Sequence, residues 1–132
     1  MRARTLTAFS CILLSTTAFA DVVTVATDGS GDYTSIQAAI DAVPTESTIQ
    51  IAPGVYNETI DLGEKSLVIE GTGRDASETV IDGTGFKSSV VLIAGDQDDS
   101  TVIRGLTIAN GDAGSMLPGN PNILAGGGLL VI

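Results

Sequence analysis

Three aspartates crowd one loop of this 132-residue sequence, Gly95-Asp96-Gln97-Asp98-Asp99-Ser100. Hard cations take several oxygen ligands at about 2.3–2.6 Å, so Asp96, Asp98 and Asp99 form a candidate Ca2+ site. They lack the Asp-x-Asp-x-Asp-Gly spacing and the distant Glu of a calcium loop, and a solvated turn is the plainer account. Arg104, between Ile103 and Gly105 at a strand corner, and Arg74, after Gly73, each carry a fork that can hold a carboxylate bidentately. Arg104 is the candidate for substrate binding. Offsetting nearby acids such as Glu70 and Asp75 is the alternative for both arginines.

Other chemistries are excluded outright. The sequence has no His, hence no His-based triad, general base or metal ligand. Its single cysteine, Cys11, falls in a leader-like segment, so residues 21–132 have no disulfide, thiol nucleophile or thiolate zinc site. No glycine-rich segment fits a phosphate loop: Gly29-Ser30-Gly31 lacks the Lys, and Gly71-Thr72-Gly73 lacks a following helix. No motif requires a cofactor.

The leader occupies residues 1–20. Arg2 and Arg4 precede an apolar run through Ile12-Leu13-Leu14, and Ala18-Phe19-Ala20 is a small-x-small cleavage site, the pattern of a secretory signal peptide. The run is too short to span a bilayer, and no second one approaches ~20 residues, so membrane insertion is not expected. Secretion to the periplasm, cell surface or medium is the expectation. Sixteen acidic residues face 6 basic ones, a formal charge of −10 that becomes −12 once Arg2 and Arg4 are removed. Such a charge repels nucleic acid and anionic lipid, and neither is an expected partner. Only Tyr33, Tyr56 and Phe86 remain as aromatics, too few for a broad stacking platform.

Residues 21–132 carry the elements that must hold these groups. Asp21–Ala26 is a short β-type run, followed by a turn cluster over Thr27–Asp32. Ile36, Ala39, Ile40 and Val43 recur at helical spacing, Thr34 and Gln37 fit a capping box, and Pro44 stops the pattern, which predicts a helix over Thr34–Val43. So short a helix is marginal alone, and its stripe must lie on something. After Pro44 short β-rich runs recur: Thr48–Ile51, Leu67–Ile69, Thr79–Ile81, Val90–Ile93, Thr101–Ile103, Leu106–Ile108 and Leu129–Ile132. Val68-Ile69-Glu70-Gly71-Thr72-Gly73 returns as Val80-Ile81-Asp82-Gly83-Thr84-Gly85, a self-similarity that points to a repeat architecture.

An antiparallel sandwich with a hairpin at Asn110-Gly111 competes with a solenoid of parallel strands. The scarcity of helices after Pro44 excludes a βαβ sheet. Alternating strands ending at Gly or Asn corners favour an all-β, right-handed parallel β-helix with the Thr34–Val43 helix capping its N-terminal end. At roughly 20–25 residues per coil, residues 45–132 make about four coils. The last strand, Leu129–Ile132, has no polar cap after it. Leaving two inward side chains wet forgoes about 3–6 kcal/mol, a large part of a typical ~5–15 kcal/mol stability. The expectation is the N-terminal portion of a longer, monomeric solenoid. The insertion Asp112–Ala125, with Met116, Leu117, Pro118 and Pro121, is either a binding loop or a plain surface loop.

Val25–Glu58 resembles the start of pectin methylesterases and their relatives in the pectin-lyase-like superfamily. The matching residues are Val25-Ala26-Thr27-Asp28-Gly29-Ser30-Gly31-Asp32-Tyr33, then Thr34-Ser35-Ile36-Gln37-Ala38-Ala39-Ile40-Asp41-Ala42-Val43-Pro44, then Ile51-Ala52-Pro53-Gly54-Val55-Tyr56-Asn57-Glu58. They cover about a third of residues 21–132. The resemblance implies a right-handed parallel β-helix, secretion, and contact with a uronate polysaccharide. It also places Tyr56 and Glu58 in a Gly-x-Tyr-x-Glu motif, as candidates to line the start of a saccharide groove; the alternatives are that Tyr56 covers the first coil and Glu58 sits solvated at a corner.

Methylesterases of that family use two aspartates, an arginine and glutamines on one face: one carboxylate attacks the ester carbonyl, the other moves protons, and amides hold the oxyanion. Leu106-Thr107-Ile108-Ala109-Asn110 resembles the strand before the family's first Gln-Ala-Val-Ala-Leu motif. Where that Gln belongs, this sequence reads Ala125-Gly126-Gly127-Gly128-Leu129. The first expectation is therefore a secreted β-helix that contacts extracellular polysaccharide or a surface, with no complete catalytic site in this chain. The alternative is a pectin-methylesterase-like esterase whose catalytic residues lie beyond Ile132. A third is a calcium-dependent polysaccharide lyase of the same architecture.

Overall fold

The structure, a computed structural model, describes residues 19–95, 100–112 and 127–131. Chain order runs β1 (Val22–Val25), α1 (Ile36–Ala42), β2 (Thr48–Ile51), β3 (Gly54–Tyr56), β4 (Ile60–Asp61), β5 (Val68–Gly71), β6 (Thr79–Asp82), β7 (Val91–Ile93), β8 (Val102–Arg104), β9 (Thr107–Ala109) and β10 (Leu129–Val131). These form three sheets, β1-β2-β5-β8, β3-β6-β9 and β4-β7-β10. Every strand pairing is parallel. Each strand thus lies beside the strand one full turn later, which is a parallel β-helix and not a sandwich; its hand is right, as parallel crossovers require.

Alternation decides what faces in. In β2 the pattern over Thr48-Ile49-Gln50-Ile51 buries the two isoleucines fully. Strand register then stacks like on like: Ile49, Ile69 and Ile103 form one inward row, Tyr56, Ile81 and Ile108 a second, and Ile60 and Val91 a third, with Leu129 in register beside Val91 but 46% exposed. β3 and β4 are missing from the strands expected on sequence, because runs of two or three residues beside Pro53-Gly54 carry no visible period. The described coils number three, not four. Thr48 follows Val22 by 26 residues, Val68 follows Thr48 by 20 and Val102 follows Val68 by 34, so the turns differ in length.

Glycines let the turns stack. A Cβ on Gly71 would run into the carbonyl oxygen of Gly105 one coil on, and Gly105 itself sits at φ +67°, where a side chain is strained.

The helix plugs the first coil as expected, with Ile36, Ala39, Ile40 and Val43 all buried, but its cap differs. Ser35, not Thr34, is the N-cap, and its Oγ accepts from the Ala38 amide at 3.3 Å. With Ala38 at the N3 position no reciprocal side chain is available, so the Thr34–Gln37 box does not form. Gln37 instead exchanges two bonds with the backbone of Asp61, donating at 3.2 Å and accepting at 2.7 Å. Among the described residues no helix is long and apolar enough to cross a membrane. The leader over residues 1–18, and 113–125 of the long insertion, lie outside the described residues.

Candidate functional site

Tyr56 ends β3 on the inward side and is 2% exposed. Its hydroxyl lies 2.9 Å from the Ala52 carbonyl and 3.2 Å from that of Val25, one proton serving one acceptor at a time, and burial pushes its pKa above the ordinary tyrosine value. The ring fills the first coil and ties it to β1; no face is left for a sugar to stack on.

Glu58 reaches back to the start of the helix. Its carboxylate accepts from the Ile36 amide at 2.9 Å, the Gln37 amide at 3.0 Å and the Ser35 hydroxyl at 2.9 Å. An anion on the first free N–H groups satisfies orphan donors and complements the positive end of the helix dipole. Lys65 does the converse at the other end, where its Nζ donates to the carbonyls of Ile40, Asp41 and Val43 at 2.7, 3.1 and 2.8 Å. Both carboxylate oxygens of Glu58 are thus held by the cap, not offered to a groove.

Arg104 does face solvent, with its side chain 64% exposed. It stands on the outer side of β8 at the end of a register row, Thr24–Gln50–Glu70–Arg104, that crosses all four strands of its sheet. Arg104 Nε donates to Glu70 Oε2 at 2.9 Å, and Gln50 Nε2 donates to Glu70 Oε1 at 3.0 Å. These two contacts, the arginine first, hold the Glu70 carboxyl below the usual range. At the N-terminal end of the same row, Thr24 donates its amide and hydroxyl to Asp32 Oδ2 at 2.8 and 3.0 Å. Beside this row the Ser30-Gly31 turn lies along the free edge of β1, where Tyr33 bridges to Val25, and borders a groove of about 290 Å³ also lined by Thr24, Gln50, Ala52 and Thr72.

The sequence singled out Arg104 but not Thr24, Gln50 or Thr72. The one available signal, polar residues at outward positions of successive strands, needs the register to become a row. Asp96, Asp98 and Asp99 lie outside the described residues, and among the described residues no three acidic groups converge on a metal position. The segment read on sequence as standing where a glutamine motif is expected ends at Leu129, the first residue of β10, in the sheet β4-β7-β10. The outward row there is Asp61, Leu92 and Leu130, a single carboxylate with two leucines.

Comparison with known proteins agrees with this architecture. The family model described as Pectinesterase matches residues 22–116. Pectinesterase/pectinesterase inhibitor 18 of Arabidopsis thaliana is 42% identical over 97 residues, 68% of this chain and 15% of that protein. Pectinesterase of Daucus carota is 40% identical over 96 residues, 70% of this chain and 27% of its own length. Among solved structures, pectin methylesterase from carrot superposes with a TM-score of 0.53 at 28% identity, covering 83% of this chain and 35% of that one. The chain therefore spans about a third or less of the length of the relatives it matches. With 22–116 matched and the coil stacking shared, this chain belongs to the pectinesterase family.

Proposed function

We propose that these coils serve a pectin-methylesterase-like reaction: they form the cap and first coils of a secreted carbohydrate esterase acting on methyl-esterified, pectin-like polysaccharide. The family match over residues 22–116 carries this reading, because it spans the cap, the first two coils and the strands leading to β10. Ester hydrolysis adds water across the acyl–oxygen bond, leaving a uronate carboxylate and methanol. It needs a nucleophilic carboxylate, a second proton-carrying group and donors for the oxyanion. Among the described residues the outward row Asp61–Leu92–Leu130 holds one carboxylate and two leucines, which supports a positioning role for these coils in that reaction.

The 132-residue chain alone is expected to leave methanol at the control level when incubated with highly methyl-esterified pectin. A chimera in which residues 22–116 replace the matching segment of the carrot pectinesterase is expected to fold and release methanol. A folded chimera without activity counts against the reading. It would favour a second one, a polysaccharide-binding solenoid without catalysis, which Ala125-Gly126-Gly127-Gly128-Leu129 in the place of a glutamine motif supports.

A further inference from the structure

The groove over β1, β2 and β5 lies on a different sheet from β10 and plays no part in the esterase reading. Its volume, about 290 Å³, sits at the ~300 Å³ lower end of small-ligand pockets, room for about one sugar ring. Its wall depends on Gly31: a Cβ there would lie 2.9 Å from the Ala26 nitrogen and 2.9 Å from the Thr24 oxygen, so only glycine lets the turn fold back this closely.

What the groove presents depends on where its protons point. Ser30 Oγ donates to Asp28 at 2.6 Å, Thr72 Oγ1 to the Ile51 carbonyl at 3.1 Å, Thr24 Oγ1 to Asp32 at 3.0 Å, and one Gln50 amide proton to Glu70 at 3.0 Å. The hydroxyl protons of Ser30, Thr72 and Thr24 are thus committed to acceptors within the protein, and Thr24 Oγ1 also accepts from the Asp32 amide at 3.1 Å. A ligand therefore meets the Ser30 and Thr72 hydroxyls as acceptors, and the second Gln50 amide proton as a donor. Charge works against an anionic ligand. Asp28 and Asp32 flank the Ser30-Gly31 wall and Glu70 lies beside the floor, while Arg104 is paired with Glu70 and Arg74, beyond Thr72, is followed by Asp75. Both carboxyls of Asp28 and Asp32 are anionic at neutral pH, and hydrogen bonds from Ser30 and Thr24 hold them below their ordinary values.

We propose that this groove is a saccharide-binding site for an uncharged, hydroxyl-rich glycan segment, and that it discriminates against glycans bearing free carboxylates. A methyl-esterified uronate stretch and a neutral hexose glycan share that chemistry.

The test is an amide-resolved NMR titration of the 132-residue chain with three probes: fully methyl-esterified trigalacturonide, a neutral galactotriose, and de-esterified trigalacturonate. Saturable shifts centred on Ser30, Gly31, Gln50 and Thr72 are expected with at least one uncharged probe, and which one binds identifies the source. The de-esterified probe should bind at least tenfold more weakly. Ala52→Phe, which fills the floor, should cut affinity tenfold or more with an unchanged circular dichroism spectrum. If that variant does not fold, Gln50→Leu, which removes a floor acceptor, should cut it about threefold. Equal binding of all three probes, shifts centred elsewhere, no saturable binding, or undiminished binding by a folded groove variant would each overturn the proposal. None of these outcomes bears on methanol release, so the esterase reading stands or falls separately.

Discussion

At the scale of single residues, position one coil away decides the role more than residue type does. Thr79, at the start of β6, is fully buried with its hydroxyl unpartnered among the described residues. An orphaned buried polar group costs about 1–3 kcal/mol. Thr79→Val is therefore expected to raise the urea midpoint by the equivalent of about 1 kcal/mol at unchanged m-value; a lower midpoint would show that the hydroxyl has a partner after all. Glu58 makes the same point from the other side. The family motif it resembles implies a groove, yet its three donors come from Ser35, Ile36 and Gln37, and nothing in the local sequence announces partners more than 20 residues upstream.

At the scale of the element, α1 is held less by its own propensity than by two side chains of the following coil. Seven residues give a helix about 10 Å long, too short to persist unaided in water. Its apolar stripe was visible because a 3.6-residue period is local; its clamps were not, because Glu58 and Lys65 belong to the turns on either side of β4. Removing Glu58 leaves three donors without their charged acceptor. Glu58→Ala is expected to cost about 1.5–3 kcal/mol in chemical denaturation, the scale of a hydrogen bond to a charged group. Lys65→Met should cost less, about 1 kcal/mol, since water can reach the last carbonyls and the dipole contribution is about 0.3–1 kcal/mol. The two losses should add to within about 0.5 kcal/mol, because the sites share no partner. If Glu58→Ala weakened polysaccharide binding while leaving stability untouched, the clamp would not be its role.

For the whole molecule, the outer rows and turns place several carboxylates where hydrogen bonds lower their pKa. Asp28 and Asp32 flank the groove, Glu70 is held by Arg104 and Gln50, and Asp82 accepts from Thr84 and Asn110 in the turn after β6. A carboxyl with a folded pKa below its unfolded value contributes stability that is present above the unfolded value, about 4, and is lost as pH falls through the folded one. The melting temperature is thus expected to hold level from about pH 7 to 5 and to drop below about pH 4 in calorimetry. A melting temperature that rose between pH 4 and 3 would contradict this. Asp82→Asn should make the acid fall shallower.

The sequence by itself determined the class of this protein: alternation with period 2 sets which side chains face in, glycine and asparagine corners set where strands end, and the stripe of α1 sets what plugs the first coil. All of these are local, and the motif block over Val25–Glu58 pointed to the family. Only the tertiary structure decided which strands are neighbours. Backbone ladders pair any strand with any other, and the turns between successive partners vary, 20 residues from Thr48 to Val68 but 34 from Val68 to Val102. That register made a row of Thr24, Gln50, Glu70 and Arg104, sent the Tyr56 ring inward, and brought Glu58 and Lys65 to the two ends of one helix.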